Sequence, residues 1–374
     1  MTEKTEVLIV GGGPTGLTAA IRLAQLGVPH IVLDARDGPT ETSNAALVHA
    51  STIELLAELD VGDELVAAGR RIDHIVMVDR GRPLVRLGFG GLPTRYPFAL
   101  SVPQSTTEAL LVKRLADLGG EVRRGQRVDL ATCDIDARYV IGADGSHSTI
   151  RESAGITFRG ATYESSFVLA DIALRTDFDE ATINLSPDGV TVLAQLPSGN
   201  HRVVATVADA PSAPDRSFVE DLLRRRGIPA QTREDPVWSS RFRIHHRVAD
   251  RFRTGSTFLA GDAAHVHSPA AGQGMNTGIA DAFDLATRLA SGSPSALDGY
   301  ETARRSAALE VVRFTDRMTR MAMLRNPMAR TARRLVMGTA GRSPAVQRKI
   351  GMWVSGLGRS PLRGSDGAPI DGRR

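Results

Sequence analysis

The sequence predicts an α/β fold: a Rossmann-type domain, a β-sheet domain inserted into it, and helices at the C-terminus. Three observations predict this. Residues 6–10 (EVLIV) are a short unbroken apolar run, followed at once by Gly11-Gly-Gly-Pro-Thr-Gly16, an amphipathic stretch over 17–26 and a second apolar run over 30–34 (HIVLD), which is a βαβ start. From 167 to 207 the pattern changes to period-two strands separated by Pro-Asp-Gly and Pro-Ser-Gly turns. Long helical patterns over 274–289 and 297–323 then close the fold.

Between these, helices are expected around 51–59 and 106–118, and a buried strand at 139–142 (YVIG). Residues 217–226 pattern as a helix, and 238–244 as a strand leading toward another at 256–260. The expected division is a discontinuous nucleotide-type domain over 1–70, 98–164 and 250–323. A sheet domain then covers 71–97 and 165–249, and a basic helical tail covers 324–374.

With 374 residues, 42% of them hydrophobic, the chain can bury a large core and form two domains. The N-terminal apolar run is too short for a signal segment and no later run approaches a membrane span, so no integral membrane segment is expected. The lone Cys133 cannot form an internal disulfide and fits a reducing, cytoplasmic setting.

Charge is uneven along the chain. Residues 324–374 carry 11 basic and 2 acidic side chains, leaving 35 basic against 40 acidic before them. Asn326-Pro327 and Ser343-Pro344 each place a capping residue before a first-turn proline, so this tail is expected to form two short helices. Met328, Leu335, Val336, Val346, Ile350 and Val354 supply an apolar face for a packed pair with a solvated basic outer face; a membrane-surface or partner helix is the alternative. Nucleic acid is not an expected partner, because no aromatic-studded basic groove or zinc-finger spacing accompanies the charge.

Three motifs carry chemistry. Gly11-x-Gly13-x-x-Gly16 lies between strand and helix, where Gly11 permits the tight turn, Gly13 a close approach to a pyrophosphate, and Gly16 close helix packing. Asp34 ends the second strand, where a carboxylate accepts a ribose hydroxyl. The second motif is Asp144-Gly145, a turn between strand 139–142 and a helix start, with Arg151 beyond it. The third, residues 259–278 (LAGDAAHVHSPAAGQGMNTG), admits three readings: a metal site on Asp262, His265 and His267, a hydrolytic dyad, or a backbone cradle for a large cofactor. Its glycines favour the cradle. A metal site gains nothing from Gly-Gln-Gly, and Ser268-Pro269 has no nucleophile-elbow spacing.

Taken together, in this order and at these separations, the three motifs resemble the class A flavoprotein monooxygenases of the para-hydroxybenzoate hydroxylase fold. The resemblance runs from Val7 to about Leu357 and includes Trp238-Ser-Ser-Arg-Phe-Arg. It implies FAD as cofactor, with its ADP part on Gly11, Gly13, Gly16 and Asp34. It also implies that Asp144 and Gly145 serve FAD and nicotinamide binding, that Gln104 lies near the phosphate chain, that the Val128 backbone meets adenine, and that Asp262 holds a ribityl hydroxyl. Pro269, Gly272, Gly274, Met275 and Asn276 would wrap the pyrimidine edge of the isoalloxazine through backbone N–H groups. The helix beginning near Gly274 would aim its positive end at the N1–C2=O edge.

Asn44 and Ser51 stand where the family commonly has arginines, and Ala271 where it has a second glycine. The implied activity is hydroxylation of an aromatic or polycyclic phenolic compound with NAD(P)H and O2 through a flavin C4a-hydroperoxide, with no protein nucleophile and no metal. The alternatives are a reductase or dehydrogenase of the same fold, or a non-catalytic flavin-fold binding protein. A halogenase is disfavoured because the Trp-x-Trp-x-Ile-Pro signature is absent. The resemblance is to the two-domain type, so a thioredoxin-like third domain as in phenol-hydroxylase-type relatives is not expected.

Overall fold

The computed structural model describes residues 2–39, 45–79, 82–176, 178, 181–232, 234–268, 272–322, 324 and 326–362. The N-terminal apolar run forms β1 (Glu3–Val10), whose last four residues are buried. It pairs in parallel with β2 (His30–Leu33) on one side and with strand Ile135–Gly142 on the other. A strand covered on both faces has no polar alternation to show, which explains the unbroken Val7–Val10 run. Val122–Arg123 extends the sheet beyond β2, and Thr257–Leu259 with Arg253–Thr254 extends it beyond Ile135–Gly142, giving six strands. Helix α1 (Pro14–Gln25) buries Leu17, Ile21 and Leu23 and packs on helices Gln104–Asp117 and Gly274–Ala290.

Register brings the three motifs together. Val10 pairs with Leu33 and with Gly142, and Gly142 pairs with Leu259. The glycine turn, Asp34, Asp144 and the Gly261-Asp262 turn therefore leave one edge of the sheet at one level, the edge where ligands bind in open parallel sheets.

The second sheet has eight strands, in the order His265–Val266, Trp238–Ala249, Phe158–Ile172, His201–Val207, Gly189–Gln195, Ala181–Ser186, His74–Asp79 and Arg82–Gly88. All pairings are antiparallel except Ala181–Ser186 with His74–Asp79. Its first strand belongs to the third motif, so the sheet grows directly out of the Gly261-Asp262 turn. On its back face Ala170, Ile172, Leu193, Val203 and Ala205 pack on Val219, Leu222 and Leu223 of helix Arg216–Arg225. On its front face Met77, Ile183, Val192 and Val204 are cross-strand neighbours that line an internal cavity.

Helices Pro294–Ala322, Pro327–Ala340 and Pro344–Val354 cover that front face. Asn326 caps the second through Met328 N–H, as its sequence predicts. Its orientation differs from the amphipathic expectation. Met328, Leu335 and Val336 are 82%, 66% and 64% exposed, while Arg333 is buried. The cause is Asp79, a buried acid at the end of strand His74–Asp79. Asp79 accepts from Arg333 at 3.0 Å and Arg334 at 2.8 Å, with Arg330 at 3.5 Å. An uncompensated buried carboxylate costs more than three exposed apolar side chains, so the charge sets the helix rotation. Among the described residues no helix is long and apolar enough to cross a membrane.

Burial pushes the Asp79 carboxyl up, but the Arg334 and Arg333 guanidiniums outweigh it and hold it below its ordinary value. With its folded pKa below the unfolded one, Asp79 contributes stability that is present above about pH 4 and lost as pH falls through the folded value. Asp79→Ala is expected to cost roughly 3–5 kcal/mol in urea unfolding at neutral pH, and to lose less additional stability than the parent on acidification. A neutral-pH stability equal to the parent's would show that the arginines do not need this acid.

Candidate flavin site

Glycine spacing builds the site before any side chain does. Gly11 adopts φ +114°, and a Cβ there would strike the backbone of Ala143 and Asp144, so the first and second motifs are in backbone contact. A Cβ on Gly16 would run into the Gly11 carbonyl oxygen, which is how α1 lies close on β1. These two glycines serve the fold. Gly13 and Gly274 differ: a Cβ on either would meet no atom within 4 Å, and both line the cavity. Each stands at a helix N-terminus with no side-chain cap, so two sets of unpaired N–H groups open on the same space.

The cavity measures about 1060 Å³. At one end it is lined by Gly11, Gly13, Asp34, Gln104, Val128, Asp144 and Gly145, and in its middle by Asp262, Gly272, Gly274 and Met275. The sequence-derived residues Gly16 and Asn276 stand behind this wall. Asn276 is a brace: its Oδ1 accepts from His49 N–H at 2.8 Å, and its Nδ2 donates to the Leu47 and Gly272 carbonyls at 2.8 and 2.6 Å. Pro269, with Asn44 and Ala271, lies outside the described residues. Ser51 is buried, and its N–H donates to the Ser355 carbonyl at 3.1 Å.

Asp34 accepts from the Gly12 N–H and from the Arg36 N–H and Nε at 2.8 and 3.1 Å. Burial raises its carboxyl, but the Arg36 and Gly12 hydrogen bonds prevail and leave it lowered, hence ionised at neutral pH. Asp144 Oδ2 accepts from Ile150 N–H at 3.1 Å and Thr149 Oγ1 at 3.2 Å, while its buried Oδ1 has no hydrogen-bond partner among the described residues. Arg151 donates to the Ala263 and Ser146 carbonyls, both at 3.1 Å, and ties the second motif to the third. Gln104 Nε2 donates to Glu108 at 2.9 Å.

Asp262 is open to the cavity yet deep in the protein, and desolvation raises its carboxyl against the opposing effect of His265. His267 also lines the cavity. Its Nδ1 faces the Ser268 carbonyl at 3.1 Å, and burial pushes its pKa down to about 4, so it is neutral at working pH. These features fit FAD: two uncapped helix ends for anionic edges, a fixed carboxylate at the β2 end, and open space over the glycines that would have to pass the cofactor.

Sequence reasoning missed three participants. Arg36 and Glu108 line the cavity together with Asp34 and Gln104. Asp281, wholly buried, accepts from Gly261 N–H at 3.1 Å and Arg304 Nε at 2.7 Å and pairs with His265 Nε2 at 2.6 Å. A signal for Asp281 was present: an acid on the apolar face of helix Gly274–Ala290.

The glycines separate binding from folding. Gly13→Val is expected to leave the melting temperature close to the parent's, since its φ of −83° suits any residue and its Cβ meets nothing, while abolishing FAD uptake. Gly16→Val should lose the fold itself. Flavin content and circular dichroism on both variants distinguish the two roles, and a yellow Gly13→Val protein would remove the first motif from the cofactor site.

The FAD binding domain family matches residues 4–134 and 129–315. The chain is 37% identical over 360 residues to 6-methylpretetramide 4-monooxygenase of Streptomyces rimosus, covering 87% of this chain and 64% of that one. It is 32% identical over 351 residues to pentachlorophenol 4-monooxygenase of Sphingobium chlorophenolicum, covering 85% and 65%. The chain thus spans just under two thirds of these relatives. The p-nitrophenol 4-monooxygenase of Pseudomonas putida DLL-E4 superposes with a TM-score of 0.82 at 26% identity, covering 94% of this chain and 97% of that one. The anhydrotetracycline hydroxylase of Streptomyces rimosus does so with 0.77 at 31%, covering 99% and 78%. With its glycine turn, Asp144-Gly145 turn and Gly261-Asp262 turn gathered at one sheet edge, the chain belongs to the FAD binding domain family and has the fold of the flavoprotein aromatic hydroxylases.

Proposed function

We propose that the protein is an FAD-dependent monooxygenase that hydroxylates an aromatic or polycyclic phenolic small molecule with NAD(P)H and O2, working in the cytoplasm. The observation that carries this reading is the continuity of the cavity. From the glycine cradle it runs on, without a wall, into a chamber floored by Met77, Ile183, Val192 and Val204 and roofed by Phe314 and Met318. At about 1060 Å³ it exceeds the usual single-ligand pocket, so it has room for a cofactor and a second flat molecule beside it. Two relatives are named as monooxygenases of 6-methylpretetramide and of pentachlorophenol, which supports an aromatic substrate here.

Bound there, FAD would supply the redox and oxygen chemistry, and the protein would supply orientation, dryness and field. In this reading the Gly13 and Gly274 helix ends face the pyrophosphate and the ring's polar edge, Asp34 accepts a ribose hydroxyl, and Asp262 accepts a ribityl hydroxyl. Gln104 stands by the phosphate chain, the Val128 backbone by adenine, and Asp144 and Gly145 between them. Neutral His267 adds polarity without charge. Two arginines that line the chamber are compensated by acids, Arg202 by Asp171 at 2.6 Å and Arg333 by Asp79 at 3.0 Å, and the apolar walls exclude water.

The test uses 18O2 with a panel of phenols and polyketides. One labelled oxygen is expected in the product, together with NAD(P)H oxidation that rises when substrate is present. Oxidation with no label in any product would favour a reductase or dehydrogenase of the same fold. Asp262→Ala is expected to weaken FAD retention by roughly 1.5–3 kcal/mol, the worth of a hydrogen bond to a charged group. An unchanged dissociation constant in ultrafiltration would remove Asp262 from the site.

A further inference from the structure

Because Asp79 pairs with Arg330, Arg333 and Arg334 and so buries Arg333, helix Pro327–Ala340 presents a stripe of Met328, Thr331, Ala332, Leu335, Val336 and Thr339 to solvent, with Arg334 partly exposed beside it. The stripe is uncharged. Its neighbours are cationic: Arg342, Arg348 and Lys349 are exposed, and the described residues from Leu324 to Leu362 include no acid. The cavity also opens here, since Met321 and Ile350 both line it and are 46% and 39% exposed. One roof therefore closes the chamber on its inner side and is apolar and basic on its outer side.

We propose that this face docks on an anionic phospholipid bilayer, with the chamber mouth toward the lipid. Apolar side chains at the acyl boundary with cations at the headgroups are the pattern of an interfacial helix. A second copy fits less well, because a two-fold interface would set Arg342, Arg348 and Lys349 against themselves with no acid between them. A soluble acidic partner would satisfy the cations and leave the apolar mouth unexplained. Docking gives a flat, apolar substrate a path from lipid to chamber that avoids water. That use of the surface rests on the monooxygenase reading; the docking does not.

The experiment is cosedimentation of the full-length, FAD-loaded protein with vesicles of phosphatidylcholine alone or mixed with phosphatidylglycerol. Binding is expected to the mixed vesicles only, and to fall with added salt as the charges are screened. Leu335→Glu with Val336→Glu should abolish it. Arg348→Glu with Lys349→Glu should weaken it at least about fivefold for each cation lost. Both variants should keep the parent's flavin content and its turnover of a water-soluble phenol. Absence of binding to either vesicle, equal binding by the variants, or a dimer in sedimentation equilibrium that Leu335→Glu with Val336→Glu dissociates would each overturn the proposal. Cosedimentation by a protein that oxygenates no phenol would leave the docking standing and sink the functional reading, and oxygenation without cosedimentation would do the reverse.

Discussion

The geometry of the site depends on a single buried carboxylate. Asp281 is wholly enclosed, and its oxygens take the Gly261 N–H, His265 and Arg304 together. Burial works against its charge, while Arg304 and His265 hold the carboxyl below its ordinary value. Such a group adds little net stability, but it is intolerant of displacement, because moving any partner leaves a charge buried and unpaired. Its three partners belong to different parts of the fold. Gly261 begins the turn that carries Asp262, His265 begins the first strand of the eight-stranded sheet, and Arg304 sits on helix Pro294–Ala322. Asp281 thus fixes the turn that carries Asp262, the first strand of the chamber floor and the first helix of its roof in one frame.

How far the sequence carries depends on whether a residue's partner is local. Gly11, Gly13 and Gly16 are legible because all three stand in one strand-turn-helix unit, where their spacing marks the turn and the approach of Gly16 to the Gly11 carbonyl. Asp34 and the Gly261-Asp262 turn follow apolar runs that are plainly strands. The rotation of helix Pro327–Ala340 is not legible: its periodicity points Met328, Leu335 and Val336 inward, and the acid that reverses it, Asp79, lies some 250 residues away at the end of a strand of the eight-stranded sheet. The floor was hidden for a different reason. Strands Ala181–Ser186 and Gly189–Gln195 are buried on both faces, so Ile183 and Leu193 look alike in sequence although one lines the chamber and the other packs on helix Arg216–Arg225.

The two kinds of glycine show where selection for folding and selection for binding part company. Gly11 and Gly16 are forced by atoms of the protein itself, whereas Gly13 and Gly274 face empty space. A chain that only needed to fold would tolerate side chains at the latter pair. Their absence, beside two helix ends that no side chain caps and on the wall of one cavity, is what a large anionic ligand would require. Asn276, expected at the ring, contributes from behind by holding Gly272 and Leu47 in place, and so shapes the cradle without entering it.

Roof and cradle are joined by the same backbone that closes the chamber. Gln273, the residue before the helix end at Gly274, donates from Nε2 to the Val354 carbonyl at 2.9 Å and accepts from Arg359 at 3.3 Å. The Ser51 N–H reaches the Ser355 carbonyl at 3.1 Å. Trp353 stacks on Phe314 at 3.4 Å between centroids, and the Arg359 guanidinium lies over the Trp353 ring at 4.2 Å. Phe314 lines the chamber while Gln273 positions the helix end, so a displacement of helix Pro344–Val354 is felt in both places. The floor is a hydrogen-bonded sheet and cannot yield, but the roof meets the chamber largely through Met318, Met321 and Met337, side chains that repack at small cost. The part of the chamber wall that can adapt in shape is therefore the part that is linked to the helix end at Gly274.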